Sequence, residues 1–210
     1  MKTSLVVPAY DEERGLPLVV EEYLGFVDEI IVVDDGSKDG TFNAAKKLES
    51  ERVKLFRNSV NSGKVAALRN GIGHATGDII IFTDADCTYP ARYVPEMVEA
   101  VLSGADLVLG ARLQSRDNIP TLNRIGNNVF SFLATYISCM RIQDSQTGLR
   151  AFRREMFDHL DVKAKGLEFE TKMTVRAAKL GYKIVEIPIE YRERVGRSKL
   201  RPLQDGARMF

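Results

Sequence analysis

The sequence predicts an α/β domain with a mostly parallel central sheet covered by helices on both faces. Two observations carry this expectation. Short β-branched runs alternate with helical patterns over the first half of the chain, and those runs read as fully buried strands. The length, 210 residues, suits one such domain.

Taken in order, strands are expected at 4–7, 30–33, 53–56, 79–82 and 107–109. Between them, apolar residues recur at helical spacing over 16–26, 41–48, 64–74 and 94–102. After Gly110 the rhythm breaks. A polar segment, 114–118, leads into a long helix over about 122–140. A polar turn at 143–148, a helix over 168–180 and a last strand at 184–189 follow. No repeat, low-complexity tract or linker interrupts the chain, so it reads as a single domain over 1–210 with a basic tail, 191–210. The apolar residues of the long helix, Ile125, Val129, Phe132, Leu133, Tyr136, Ile137 and Met140, suit a core face first and a membrane-interface face second.

Composition narrows the function. The formal net charge is +1, which argues against a whole-protein attraction to nucleic acid. Two cysteines, Cys87 and Cys139, make neither a disulfide framework nor a zinc cluster, and a reducing, cytoplasmic compartment is expected. No run reaches about 18 apolar residues, so no membrane span is expected. The stretch from Tyr191 to Arg208 carries a local net charge of +4. It reads either as a solvated terminus or as a loop that meets phosphates on a ligand or a membrane surface.

Ligands of parallel α/β sheets bind at the carboxyl ends of the strands. Three acidic segments follow such ends: Pro8-Ala9-Tyr10-Asp11-Glu12, Asp34-Asp35-Gly36-Ser37 and Asp84-Ala85-Asp86. Crowded carboxylates repel, so a divalent cation or the donor groups of a nucleoside would offset their cost. A lone Asp-x-Asp is also a common turn, and it is the position after a buried strand that gives this one weight. Asp35 is placed to accept from a base or ribose, while Asp39 or Thr41 caps the next helix. Asn61-Ser62-Gly63-Lys64 resembles part of a phosphate loop but lacks the first glycine and the spacing of a Walker motif. Lys64 either reaches a nucleotide or sits only in a first turn. Asp144 either orients an acceptor, helps position a metal, or is a loop residue before a turn. Glu168 and Glu170 open a late helix, where negative charge suits the dipole as well as any functional role. His74 and His159 lie away from the strand ends and read as packing residues.

The ordered set Val7-Pro8-Ala9-Tyr10-Asp11-Glu12-Glu13, Val33-Asp34-Asp35-Gly36-Ser37, Asn61-Ser62-Gly63-Lys64, Asp84-Ala85-Asp86 and Gly110-Ala111-Arg112 resembles the family 2 inverting glycosyltransferases of GT-A fold. Asp144-Ser145-Gln146-Thr147-Gly148-Leu149-Arg150 and Arg194-Val195-Gly196-Arg197-Ser198-Lys199-Leu200 resemble its dolichol-phosphate mannose synthase and polyprenyl-phosphate branch. The resemblance spans essentially the whole chain. It implies that Pro8, Tyr10, Glu12, Val33 and Asp35 hold the nucleoside, that Asp84 and Ala85 contact the nucleotide, and that Asp86 binds Mg2+ or Mn2+. It further implies that Arg112 lies near sugar and phosphates, and that Arg194 and Lys199 close over the donor diphosphate and the acceptor phosphate. Synthases of the mannose branch often carry Gln two residues after the second Asp; here that position is Thr88, whose hydroxyl reaches a metal less directly. The implied reaction moves a hexose from GDP-mannose or a UDP-sugar to a polyprenyl or dolichyl phosphate, at the cytoplasmic face of a membrane to which the protein binds peripherally. Two alternatives are the same transfer to a soluble glycan or metabolite, and a nucleotide-sugar-binding subunit that needs a membrane partner.

Overall fold

The computed structural model describes residues 1–114, 118–162, 164, 166 and 168–196. Seven strands form one sheet: β1 (Thr3–Ala9), β2 (Glu29–Asp34), β3 (Val53–Arg57), β4 (Ile79–Phe82), β5 (Leu107–Gln114), β6 (Arg150–Arg153) and β7 (Ile184–Glu190), in the order β3-β2-β1-β4-β6-β5-β7. The helices are α1 (Gly15–Tyr23), α2 (Thr41–Lys46), α3 (Lys64–His74), α4 (Val94–Leu102), α5 (Thr121–Ser138), α6 (Arg154–Leu160) and α7 (Glu168–Lys179). The chain pairs outward from β1 to β2 and β3, then returns to place β4 on the other side of β1. That reversal makes a switch point between β1 and β4.

Side-chain alternation divides the core. Leu5, Val7, Ile30, Val32, Ile79 and Ile81 pack with Leu16, Val19 and Tyr23 of α1 and Val94, Met97 and Val101 of α4. Val6, Ile31, Val33, Ile80 and Phe82 point the other way, onto Leu68 and Ile72 of α3 and Phe169 and Met173 of α7. Successive residues serve opposite layers, which is why both faces of these strands are apolar.

Pro8 sits in a central strand, where a missing N–H ordinarily breaks the ladder. Here it does not. The β1–β4 register ends at Val6 opposite Phe82, and Thr83 N–H donates the final bond to the Val6 carbonyl at 3.3 Å. Pro8 faces the same side two residues later, where β4 has already turned away. The early end of β4 opens the space that the site occupies.

Three features depart from the sequence expectation. β6 runs antiparallel between β4 and β5, and α6 follows it; neither was foreseen. β5 continues to Gln114, pairing with β7 beyond the end of β6, and carries Arg112 over the strand ends. Most of the apolar face expected of the long helix is not core, although Leu133 is half-buried and Met140, just past α5, packs against the core. Ile125, Val129, Phe132, Tyr136 and Ile137 are exposed, and the helix packs inward through Ser131 and Ala134 instead.

Candidate active site

The loop after β4 holds the acid pair. Cys87 turns the chain back at φ +65, and the two carboxylates acquire different partners. Asp84 Oδ1 meets Lys64 Nζ at 2.6 Å, and the same ammonium meets Glu170 Oε1 at 2.9 Å. Asp86 Oδ1 accepts from the Thr88 N–H at 3.2 Å and its hydroxyl at 2.6 Å, while Oδ2 meets Arg194 at 3.0 Å. Burial opposes the charge of Asp84, but Lys64 outweighs it and holds the carboxyl below its usual range. Burial, then the Asp84 charge, pushes Asp86 up.

Close packing fixes this loop. A Cβ on Gly15 would lie 2.4 Å from the Ala85 carbonyl, so α1 approaches Ala85 as only glycine allows. Across the cleft a Cβ on Gly148 would lie 2.5 Å from Asp84 Oδ2. The Gly148 N–H donates to the buried Tyr89 hydroxyl at 2.6 Å, which seats the turn before β6 against the acid pair. Arg150, fully buried, completes that turn by donating to the Ser145 carbonyl at 2.7 Å, the Thr147 carbonyl at 3.1 Å and Thr174 Oγ1 at 3.0 Å. Burial pulls its guanidinium down to about 10.

Arg112 and Asp144 form a buried bidentate pair, Nε and Nη2 each donating at 2.7 Å, and the Arg112 backbone N–H adds a third bond at 2.9 Å. Burial opposes the Asp144 charge, and Arg112 overcomes it and lowers the carboxyl. Both Asp144 oxygens are thereby committed to Arg112, so Asp144 acts by aiming that guanidinium. The Arg112 guanidinium lies 5.4 Å from the Tyr191 ring centre. Beside it, Arg124, Asn127, Asn128 and Gln143 line a small polar cavity that the sequence reading missed.

The segment after β7 crosses the same loop. Arg192 N–H donates to the Thr88 carbonyl and Val195 N–H to the Asp86 carbonyl, both at 2.9 Å. Arg194 pairs with Glu12 as well as with Asp86, and its Nε is buried without a hydrogen-bond partner. A phosphate oxygen would satisfy that donor. Lys199 lies outside the described residues.

The remaining expected contacts flank the cleft. Pro8 and Val33 are buried neighbours in β1 and β2, and Tyr10 is half-buried where β1 ends. Asp35 is buried beside the loop that follows β3. Its oxygens accept from Asn58 Nδ2 at 2.7 Å, Ser62 N–H at 3.0 Å and Gly63 N–H at 2.7 Å, so it shapes the loop ahead of Lys64. Lys64, left open by the sequence, faces Asp84. Thr88 pins Asp86 with its hydroxyl. His74 stacks on Phe56 with ring centroids 3.7 Å apart, and His159 is exposed on α6, so neither joins the site.

Among the described residues no three acidic, histidine or cysteine side chains form a protein-only cation cage. Asp86 Oδ2, which faces Arg194 here, would suit a hard cation that draws its other ligands from water and phosphate once that arginine turns to the phosphates. The donor set therefore fits a metal shared with a nucleoside diphosphate.

Known proteins resemble this chain closely. A dolichyl-phosphate hexose transferase of Haloferax volcanii is 32% identical over 209 residues, covering 97% of this chain and 89% of that protein. A polyprenol monophosphomannose synthase of Mycolicibacterium smegmatis is 31% identical over 214 residues, covering 95% and 81%. Among solved structures, glucosyl-3-phosphoglycerate synthase from Mycobacterium tuberculosis, in complex with Mn2+, UDP and glucosyl-3-phosphoglycerate, superposes with a TM-score of 0.76 at 25% identity, covering 99% of this chain and 75% of that one. The glycosyl transferase family 2 model matches residues 4–161, about three quarters of the sequence, and the chain belongs to that family of glycosyltransferases.

Proposed function

We propose that the protein transfers a hexose, with inversion, from GDP-mannose or a UDP-sugar to a polyprenyl or dolichyl phosphate, using Mg2+ or Mn2+. The observation that carries this reading is the meeting of Asp84 with Lys64 at 2.6 Å and of Asp86 with Arg194 at 3.0 Å at the end of β4. Arg194 and Arg112 both lie near enough to Asp84 to lower its pKa. A cleft with cations facing an acid pair suits a diphosphate bound through a metal.

In the reaction an acceptor phosphate oxygen attacks the anomeric carbon as the bond to the donor diphosphate breaks, and the nucleoside diphosphate leaves with the electron pair. A divalent cation at Asp86 would supply charge compensation for that leaving group. Arg112, aimed by Asp144, and Arg194, through its free Nε, donate to phosphate oxygens as negative charge grows there. The acceptor is already an anion near neutral pH, which accords with a site that draws on neither histidine.

The relatives named for dolichyl and polyprenol phosphate support the acceptor class. The exposed apolar residues of α5 suit a helix lying at a membrane surface. No helix among the described residues is long and apolar enough to cross one. A second reading, transfer to a small phosphorylated metabolite, is favoured by the structural neighbour crystallised with glucosyl-3-phosphoglycerate.

Both readings are tested by incubating labelled GDP-mannose and UDP-glucose with Mn2+ and either polyprenyl phosphate in vesicles or 3-phosphoglycerate. Label is expected on the lipid; label on 3-phosphoglycerate alone selects the second reading. Asp86→Ala is expected to abolish metal-dependent transfer, and full activity in that variant contradicts the site. Lys199→Ala is expected to lower the rate by about 10²–10³, as for loss of a charge-stabilising donor. An unchanged rate would assign Lys199 to solvent.

A further inference from the structure

Glu170 is a buried carboxylate set between two cations, Lys64 in direct contact and the fully buried Arg150 within electrostatic reach. The first turn of α7 already carries Glu168, which is half-exposed and complements the helix dipole from solvent. Glu170 is 5% exposed, and burying a carboxylate is costly unless something requires it. Its partner is Lys64 at 2.9 Å, and Lys64 already has a partner in Asp84 at 2.6 Å. Lys64 is thus shared by two carboxylates, which leaves one negative charge in surplus within that trio.

The surplus has a consequence for the cation seat. Direct ion pairs around it join Glu12, Asp84, Asp86 and Glu170 to Lys64 and Arg194, flanked by the mutually neutralising Arg112 and Asp144 and by the buried Arg150. The six directly paired groups carry a net charge of −2 before Arg150 is counted. Without Glu170 the sum would be −1, because Lys64 would cancel the carboxylate that it orients. The position of Glu170 is itself fixed. Its neighbour Thr171 accepts from Gln146 Nε2 at 2.6 Å and shares a hydrogen bond with the Ser145 hydroxyl at 3.0 Å, which locks the start of α7 to the turn beside Asp144.

We infer that Glu170 is a positioning residue of the donor site: it neutralises Lys64, so that Lys64 aims Asp84 without removing its charge from a cation bound beside Asp86. The inference rests on the metal-dependent reading above and adds a residue to it.

The test is Mn2+ binding with and without UDP or GDP, read from the electron paramagnetic resonance of free Mn2+ and independent of turnover. Glu170→Gln is expected to weaken Mn2+ binding roughly tenfold, the scale of one unit charge at partly screened range. Lys64→Met/Glu170→Gln restores the net charge and is expected to bring the affinity back to within about threefold of the parent. A residue that merely braced α7 would show no such recovery. Circular dichroism confirms folding, and Glu170→Met replaces Glu170→Gln if the latter fails to fold. Equal affinity in parent and single variant overturns the inference, as does a double variant as weak as the single. Failure of the parent itself to bind Mn2+ under either condition overturns the metal-dependent reading and the inference with it.

Discussion

Glu29 opens β2 at the edge of the sheet opposite the site, and it makes a strong forecast about acid stability. Its side chain is 3% exposed. It accepts from the Ser4 hydroxyl at 2.6 Å, and from the Thr76 N–H at 2.6 Å and hydroxyl at 2.8 Å, with Lys2 and Lys54 each at 3.3 Å. Burial raises its pKa, but these bonds prevail and bring it from 4.5 down to about 2. Both lysines are largely solvated, so the buried donors supply most of the effect. At roughly 1.4 kcal/mol per pH unit, the ionised carboxylate contributes about 3 kcal/mol at neutral pH. A depressed carboxylate stabilises above its unfolded pKa, so this contribution is complete above about pH 5 and fades as pH falls toward 2. Glu29→Gln should therefore lower stability by about 2–3 kcal/mol at pH 7 and by less than half as much at pH 3. Urea unfolding of parent and variant at pH 7, 5 and 3 measures the gap. A gap of the same size at pH 3 as at pH 7 would refute the assignment of the lowered pKa to Glu29.

Two further outcomes concern the site. Asp144→Asn replaces one charge-assisted bond to Arg112 with a mismatched amide and leaves a buried guanidinium unbalanced. It should cost about 2–3 kcal/mol in thermal or urea unfolding, and should lower kcat more than it raises KM for the donor. A KM-only effect would show that Arg112 serves binding alone. Gly148→Ala places a methyl 2.5 Å from Asp84 Oδ2. Calorimetric titration with UDP or GDP and Mn2+ should show about tenfold weaker binding, and parental affinity would mean that the cleft has slack there.

Local pattern carried much of the fold into view. The boundaries of α3, β4 and α4 match their apolar runs, because β4 is buried on both faces and each helix has one clear apolar side. β6 stayed hidden for a physical reason: Arg150-Ala151-Phe152-Arg153 is short and begins and ends with arginine. Arg150 is tolerated in the core because it donates to the Thr147 and Ser145 carbonyls of the turn before it and to the distant Thr174 hydroxyl, a fold of the chain that its apolar pattern does not announce. The α5 face was assigned to the core by its spacing, yet spacing cannot say which side of a helix meets the protein. At the site, the acid pair was legible from its place after β4. The pairing of Arg112 with Asp144, and of Lys64 with Glu170, joins residues far apart in the chain and appears only once the sheet is assembled.

The reversed direction of β6 has a consequence for how this protein could diversify. A parallel strand offers a ligand only the segment by which the chain leaves it; the segment by which the chain arrives lies at the far edge. Because β6 points the other way, its incoming turn from Gln143 to Leu149 reaches the cleft, where Arg150 stands opposite Phe82. The pocket is thus assembled from several exits and one entrance, and the entrance bears Asp144 and Gly148. Changes to that turn alter one wall of the cleft while the parallel half of the sheet, from β1 to β4, stays as it is.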